Sequence, residues 1–244
     1  MNKNKNLDNQ KISLKRGDNL KELIKKINTA VNEAKDQLPV NIISEVLVKN
    51  TNSINIKGNF NFILIGDPTS DKTCFSNRYF KNQFSPNFLS TIGIDKEIKY
   101  IKLGNDYYKI TLWDTAGQDR FKRLPKKYYQ NADGILLLFD VTNEETFYNN
   151  RNWVKDIKKS LNINNEDRVD SEKPVYLIGN KIDLPERVVS KEQAEEQAKS
   201  FGMKYFEVSS KINMNIPEVM TRMIIECHIK KNHKDNFFLL NSKS

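Results

Sequence analysis

An apolar strand that leads directly into a loop and then a helix constrains this chain more than any other feature. The segment Phe60–Ile65 is typical of a buried strand, Gly66–Thr73 has the sequence GDPTSDKT, and a helical pattern covers Thr73–Lys81. In this arrangement, backbone N–H groups and the helix N-terminus face a bound phosphate. The sequence therefore predicts a phosphate-binding loop, with Lys72 on the outer phosphates of a nucleotide and the Thr73 hydroxyl on Mg²⁺.

The loop departs from the pattern G-x-x-x-x-G-K-[ST], because Asp71 stands where the second glycine is expected. Aspartate adopts left-handed backbone angles more readily than most residues, so the loop is still expected to form. Its carboxylate, however, would repel a phosphate charge ~4 Å away by about 4 kcal/mol at an effective dielectric of 20. Mg²⁺, or a pairing of Asp71 with Lys72, would offset part of this repulsion. Pro68 also removes one backbone donor from the loop. The residues expected around the phosphates are Gly66, Asp67, Pro68, Thr69, Ser70, Asp71, Lys72, Thr73 and Cys74.

Strand and helix patterns alternate beyond this loop, which is typical of a parallel sheet with helices on both faces. The turn residues Gly104-Asn105 predict a hairpin between two of the strands. We therefore predict an α/β fold with a six-stranded, mostly parallel sheet that contains one antiparallel strand. The later strands are predicted at Ile94–Leu103, Tyr107–Trp113, Ile135–Val141, Val175–Gly179 and Tyr205–Val208, and the later helices at Glu144–Leu161, Lys191–Phe201 and Ile216–Lys230.

The residues before the first strand are predicted to form an N-terminal extension (1–58), followed by the main domain (59–231) and a basic C-terminal tail (232–244). Within the extension, a disordered start (1–17) precedes an amphipathic helix at about 19–38 and a linker at Asn50–Asn59. Ile42–Val48 is apolar enough for a short strand or helix. The amphipathic helix is expected to pack on protein, and contact with a membrane through its lysines is the alternative.

Composition excludes several classes of protein. The net charge is +9, with much of the excess near the two ends, which suits either an anionic partner or solubility alone. No aromatic residues interleave with these basic residues, so nucleic acid is not an expected partner. The apolar runs are too short to span a bilayer, and the two cysteines, Cys74 and Cys227, form neither a metal spacing nor a disulfide framework. A cytoplasmic protein is expected.

Four further motifs give the chain a family resemblance. STIGID (Ser90–Asp95), WDTAGQDRF (Trp113–Phe121), NKID (Asn180–Asp183) and EVSSK (Glu207–Lys211) follow the loop in this order. Together with the loop they resemble the Ras superfamily of small GTPases, and most closely its Rab branch. The resemblance implies a P-loop G-domain that binds GTP and GDP, with Mg²⁺ as cofactor, and that acts as a switch in vesicle traffic.

The resemblance also implies a role for each matching residue. Thr91 would sense Mg²⁺ and the γ-phosphate, Asp114 would hold Mg²⁺ through water, and the Gly117 N–H would meet the γ-phosphate. Gln118 would orient the attacking water in GTP hydrolysis. The Asp183 carboxylate would accept two hydrogen bonds from guanine. The other residues expected around the base are Phe84, Asn180, Lys181, Ser209, Ser210 and Lys211, and those expected at the metal are Thr73, Thr91 and Asp114.

Departures from the Rab pattern bear on activity and partners. Lys96 replaces the aromatic residue that Rabs usually carry after STIGID. The sequence ends NNHKDNFFLLNSKS, without the C-terminal cysteines that Rabs use for prenyl anchors, so no prenyl anchor is expected. The implied partners are exchange factors, activating proteins and effectors, and hydrolysis is expected to be slow because Pro68 adds bulk where an activating arginine would approach. Two alternatives stay open. One is a pseudo-GTPase interaction module with weak or no nucleotide binding because of Asp71, and the other is nucleic-acid binding through the basic ends.

Overall fold

The sheet that carries the site is resolved in a computed structural model of the chain. The structure describes residues 43–45, 55–85, 93–115, 124–164, 168–169 and 172–241, with side chains except at 43–45 and 232–241. The predicted disordered start (1–17) and the predicted helix at 19–38 lie outside these residues. The described strands are β1 (Ile43–Glu45), β2 (Ile56–Gly66), β3 (Ile94–Leu103), β4 (Asp106–Thr115), β5 (Gly134–Asp140), β6 (Val175–Asn180) and β7 (Lys204–Glu207).

These strands form one sheet in the order β1-β3-β4-β2-β5-β6-β7. β3 pairs antiparallel with both β1 and β4, and the other neighbouring strands are parallel. The six predicted strands, with one that runs against the others, are therefore confirmed. β1 adds a seventh strand at the edge of the sheet, where Ile43 lies opposite Leu103 and Glu45 opposite Ile101. Three residues are too few to show a repeated strand period, so the sequence did not distinguish a strand from a helix in this segment.

The helices of the described residues are α1 (Lys72–Lys81), α2 (Lys126–Asn131), α3 (Glu144–Leu161), α4 (Lys191–Phe201) and α5 (Ile216–Asn241). α2 was not predicted, because six residues are too short for a clear helical period. α5 continues past its predicted end at Lys230, so most of the predicted C-terminal tail is helical. Within the described part of the chain, no helix is long and apolar enough to cross a bilayer.

The hydrophobic core lies on both faces of the sheet, as predicted. On one face, Phe62 of β2 packs in a cluster with Phe75 of α1 and Met220 of α5. On the other face, Ile63 packs in a cluster with residues of α3 and α4 such as Phe147. Because consecutive strand residues point to opposite faces, a strand covered on both sides is apolar throughout. All seven residues of β5 are buried for this reason.

The structure corrects the predicted start of the first strand of the domain and confirms the predicted hairpin. β2 begins at Ile56, where Ile56 pairs with Tyr107, so the linker predicted over Asn50–Asn59 is wrong for its last four residues. Asn and Ser gave the segment the composition of a linker, although its end pairs with β4. The predicted hairpin at Gly104-Asn105 is confirmed, since Leu103 lies opposite Asp106 and Gly104 has φ 62°.

The topology brings four strand ends to one edge of the sheet. β2, β4, β5 and β6 are mutually parallel and end at Gly66, Thr115, Asp140 and Asn180. The chain order reverses on either side of β2, whose neighbours are β4 and β5. Ligands of open α/β sheets bind at the carboxyl ends of strands where such a reversal occurs. This edge is therefore where the predicted site residues should meet.

Candidate nucleotide-binding site

The phosphate loop leaves β2 through a glycine that no other residue can replace. Gly66 has φ 134°, and a Cβ added there would lie 2.1 Å from the carbonyl oxygen of Leu138 on β5. A short 3-10 turn, Pro68–Ser70, follows, and the Ser70 hydroxyl donates to the Asp67 carbonyl at 2.7 Å. Pro68 stands at the first position of this turn, where its missing N–H removes no bond of the turn. Pro68 and Thr69 are exposed.

Asp67 anchors the loop to α3. Its side chain is buried, and its Oδ1 accepts hydrogen bonds from Asn149 Nδ2 at 2.6 Å and Trp153 Nε1 at 2.9 Å. The backbone carbonyl of the same residue accepts from Lys72 Nζ at 2.8 Å. The sequence predicts Asp67 in the loop but indicates neither of its α3 partners, because no local pattern connects residues more than eighty positions apart.

Asp71 adopts the left-handed backbone that the missing glycine would supply. Its angles are φ 60° and ψ 40°, and α1 begins immediately after it. A pairing with Lys72 was one of the two ways to offset the Asp71 charge, but among the described residues the carboxylate pairs with Lys181, whose Nζ lies 3.6 Å from Oδ1. Lys72 Nζ donates instead to the carbonyl oxygens of Gly66 and Asp67, each at 2.8 Å. Lys72 is thus hydrogen-bonded to the backbone of the loop and not to its neighbour, although the charges of Asp71 and Lys72 still interact.

Lys72 is poised to gain from a bound anion. The residue is only 3% exposed, and burial lowers the pKa of its ammonium group to about 8 although Asp114, Asp67 and Asp71 oppose the shift. An anionic phosphate beside the ammonium would favour the charged form and offset this cost. The side chain thus has the environment expected for a phosphate-binding lysine.

Thr73 and Asp114 meet at the end of β4. The Thr73 hydroxyl donates to Asp114 Oδ2 at 2.5 Å. Asp114 is 2% exposed, and its Oδ1 is buried with no hydrogen-bond partner among the described residues. Burial raises the pKa of this carboxyl to about 6 although the Thr73 hydrogen bond opposes the shift. A hydroxyl beside a carboxylate with one unsatisfied oxygen fits Mg²⁺, a hard cation that prefers oxygen ligands.

The described residues contain no cluster of three or more His, Cys, Asp or Glu side chains that would hold a metal by themselves. A cation at Thr73 and Asp114 would therefore need further oxygens from water or from a phosphate. Mg²⁺ is commonly held in this way, by one or two protein groups together with substrate phosphates.

Asn180 connects the phosphate loop to the segment after β7. Its side chain is fully buried, and Nδ2 donates to the Ser70 carbonyl at 3.1 Å. Its Oδ1 accepts from the Ser210 N–H at 3.1 Å, the Ser210 hydroxyl at 3.2 Å and the Lys181 N–H at 2.9 Å. The NKID and EVSSK motifs, far apart in sequence, are thereby joined through the side chain of Asn180.

Asp183 is held in place by the last motif. The Ser209 hydroxyl donates to Asp183 Oδ1 at 2.5 Å, and Lys211 Nζ lies 3.9 Å from Oδ2. Ser209 Oγ in turn accepts from the Ile212 N–H at 3.2 Å. These contacts fix the orientation of the carboxylate that sequence analysis assigns to the base.

Arg78 is a residue of the site that sequence analysis missed. It extends from α1, and its Nε and Nη2 donate to the carbonyl oxygens of Ser210 at 2.9 Å and Lys211 at 2.7 Å. Its guanidinium carbon lies 6.0 Å from the centre of the half-buried Phe84 ring. Arg78 therefore brings Phe84 and the last motif together. No sequence signal indicates this role, because the partners lie more than 130 positions away.

Other predicted residues lie beside the site or outside the described residues. Cys74 is buried, its Sγ donates to the Ser85 carbonyl, and burial raises its pKa to about 12, which indicates packing. Lys96 places Nζ 5.5 Å from the centre of the Trp113 ring. The described residues do not include Thr91, Gly117 or Gln118.

Comparisons with known proteins show the family of this chain. The model of the Ras family matches residues 61–229 of the chain. The Ras-related protein Rab-8B of Bos taurus is 39% identical over 178 residues, covering 72% of this chain and 82% of that protein. The Ras-related protein Rab-8A of Gallus gallus is 42% identical over 176 residues, with coverage of 72% and 81%. The chain therefore belongs to the Ras family and is a Rab-like small GTPase.

Proposed function

We propose that this protein binds GDP and GTP with Mg²⁺, hydrolyses GTP slowly and acts as a molecular switch in intracellular vesicle traffic. The observation that carries the proposal is the pairing of Thr73 with Asp114, whose second carboxylate oxygen is buried and unsatisfied among the described residues. Leaving such an oxygen without a partner costs about 1–3 kcal/mol or more. A divalent cation held by these two residues and the nucleotide phosphates would remove this cost.

The base-binding half supports guanine over adenine. The Asp183 carboxylate, fixed by Ser209 and near Lys211, has the acceptors needed for the N1–H and the N2 amine of guanine. Adenine does not present this pair of donors. Because Asn180 links the same pocket to the Ser70 carbonyl, base and phosphates would be bound by one connected structure.

Catalysis would require little covalent chemistry from the protein. Mg²⁺, when bound, supplies positive charge that neutralises charge on the phosphates. Lys72 would add a second positive charge, and Gln118 would orient the attacking water. Thr91 and Gly117 would respond to the γ-phosphate, so that their segments order with GTP and are released after hydrolysis. The exposed Pro68 would hinder the approach of an activating arginine, which is consistent with slow hydrolysis.

The proposed partners follow from the Rab resemblance. They are exchange factors that release GDP, activating proteins that accelerate hydrolysis, and effectors that bind the GTP state. The protein would act in the cytoplasm, with peripheral contact at an intracellular membrane. Lys96, over the ring of Trp113, would favour effectors that differ from those of relatives with an aromatic residue at this position.

Calorimetric titration of nucleotide-free protein with GDP, GTPγS and ADP, each with Mg²⁺, tests the proposal. We expect binding of both guanine nucleotides, none of ADP, and a loss of affinity when Mg²⁺ is chelated. Asp183→Asn provides a matched control, because its amide can donate to the extra carbonyl of xanthine. This variant should lose GDP and gain xanthosine diphosphate. Equal binding of GDP and ADP by the unaltered protein would contradict the proposal.

The second candidate function is an interaction module with weak or no nucleotide binding. The observation that favours it is the Asp71 carboxylate in the phosphate loop. If Asp71→Gly binds GDP and the unaltered protein does not, this second function is correct. If both bind, phosphate release from GTP should be measured next, and it should fall to background in Gln118→Leu.

A further inference from the structure

The two halves of the site touch through a pair of oppositely charged residues that both have unusual backbones. Asp71 in the phosphate loop has φ 60°, and Lys181 in the NKID segment has φ 68°. Left-handed angles are uncommon for residues other than glycine, because Cβ crowds the backbone there. At these angles the Asp71 Oδ1 lies 3.6 Å from Lys181 Nζ.

Lys181 is held by a second, more deeply buried carboxylate. Its Nζ lies 2.8 Å from Oδ2 of Asp140, at the end of β5. The Oδ1 of Asp140 accepts from both the N–H and the hydroxyl of Thr142, at 2.8 and 2.7 Å. Asp140 is therefore fixed, and it positions the lysine that Asp71 contacts. We call these three residues, Asp71, Lys181 and Asp140, the interloop cluster.

The charges of the interloop cluster depend on one another. Burial alone would lower the pKa of Lys181, but its hydrogen bond to Asp140 and the charge of Asp71 outweigh burial and raise it. Burial raises the pKa of Asp71 although Lys181 opposes the shift. Without Lys181, the carboxylates of Asp71 and Asp140 would lose the ion pairs that it forms with both of them. Each would then repel an incoming anion.

The contact occurs beside a second tie between the same two segments. Asn180 donates to the carbonyl of Ser70, so consecutive residues of NKID hold consecutive residues of the phosphate loop. One tie is a neutral hydrogen bond to the backbone, and the other is an ion pair with a side chain that glycine would lack. The ion pair is thus specific to a chain with an acidic residue at position 71.

We propose that Lys181 is a positioning residue of the phosphate loop, and that its contact with Asp71 is what makes an acidic residue compatible with nucleotide binding. Lys181 neutralises the carboxylate and fixes the loop, besides any contact of its own with the base. The effect of Lys181 on nucleotide affinity rests on the proposed function. The ion pair between Lys181 and Asp71 does not depend on it. Removing Lys181 should therefore be more harmful when Asp71 is present than when it is absent.

A double-mutant cycle tests this dependence. The variants are Lys181→Met, which keeps a long unbranched side chain without the charge, Asp71→Asn, which keeps the tolerance for left-handed angles, and their combination. GDP affinity with Mg²⁺ and thermal unfolding without nucleotide are measured for all four proteins. We expect Lys181→Met to lower GDP affinity about tenfold more when Asp71 is intact than in the Asp71→Asn background, since the pair is only partly exposed.

A direct contact between Lys181 and the base would affect both backgrounds equally, so the cycle cancels it. Lys181→Arg, which restores the charge, should recover most of the loss when Asp71 is intact, and raised salt should reduce the coupling. Additive effects on affinity would overturn the proposal. If none of the proteins binds GDP, including Asp71→Gly, the proposed function fails instead. Thermal unfolding of the four proteins then tests the ion pair between Lys181 and Asp71. Non-additive changes in the unfolding midpoint support this ion pair, and additive changes overturn it.

Discussion

Trp153→Phe tests whether the phosphate loop is anchored to α3 through Asp67. The change removes one of two side-chain donors to the Asp67 Oδ1, the indole N–H at 2.9 Å, and leaves Asn149 at 2.6 Å. Hydrogen bonds to charged groups contribute about 1.5–3 kcal/mol. Asp67 is 5% exposed, so water does not easily replace the lost donor. We expect the free energy of unfolding to fall by about 2 kcal/mol and the melting temperature by about 4–8 °C.

Urea and thermal unfolding of nucleotide-free protein measure this loss. Tyr148→Phe is the matched control, because Tyr148 lies on the same helix, is 53% exposed and keeps its ring contact with Phe147 when the hydroxyl is removed. Its effect should stay within about 0.5 kcal/mol. In an Asp67→Ala background, Trp153→Phe should be much less costly, because the buried acceptor is gone. The same cost in both backgrounds would refute the reasoning and attribute the loss to ring volume.

Three further predictions concern the rest of the site. Gly66→Ala should lower the free energy of unfolding by about 3 kcal/mol or more, because its Cβ would lie 2.1 Å from a carbonyl oxygen. Gly58→Ala, whose Cβ would come no nearer than 3.5 Å to a tyrosine ring, should leave the free energy of unfolding unchanged or raise it by up to about 1 kcal/mol, because alanine loses less backbone entropy on folding than glycine; a loss equal to that of Gly66→Ala in urea unfolding would contradict this. Arg78→Met should lower GDP affinity about tenfold in calorimetry, because the carbonyls of Ser210 and Lys211 lose their donors; unchanged affinity would count against the role of Arg78. The Asp114 pKa is raised from 3.8 to about 6, so the metal-free folded state holds a proton that the unfolded state has lost. Its free energy of unfolding should therefore fall as pH rises from 3.8 to about 6, and Asp114→Asn should remove this slope in urea titrations with a chelator.

Elements long enough to show a period could be predicted from the sequence, and shorter ones could not. β5 and β6 are buried apolar runs, and α3 and α4 begin and end at the predicted residues. β1 has three residues and α2 has six, so neither repeats its period often enough to be recognised. The start of β2 was not predicted because the segment Asn50–Asn59 is rich in Asn and Ser, as linkers are, while Gly58 and Asn59 pair with β4.

The site itself was predictable where a motif is local and unpredictable where the fold brings distant residues together. The loop, NKID and EVSSK each place their residues within a few positions, and the structure joins them through Asn180. Arg78 and the α3 partners of Asp67 carry no such pattern. For Asp71 the sequence indicated only its neighbour Lys72 as a partner. In the fold, Lys181 directly follows β6 and contacts both Asp71 and Asp140, which lies at the end of β5.

The two positions at which the phosphate-loop pattern has glycine are therefore not equivalent in this protein. At Gly66 the obstacle to any side chain is the Leu138 carbonyl of the neighbouring strand, and a backbone atom within the sheet has little room to move. At Asp71 the requirement is a left-handed backbone, which aspartate meets at φ 60°, together with the absence of uncompensated negative charge. Charge, unlike overlap, can be compensated by a cation from another segment, and Lys181 lies within reach. A departure from the pattern at the second glycine thus calls for a search for the compensating cation before the site is considered lost, whereas a departure at the first would indicate a different loop.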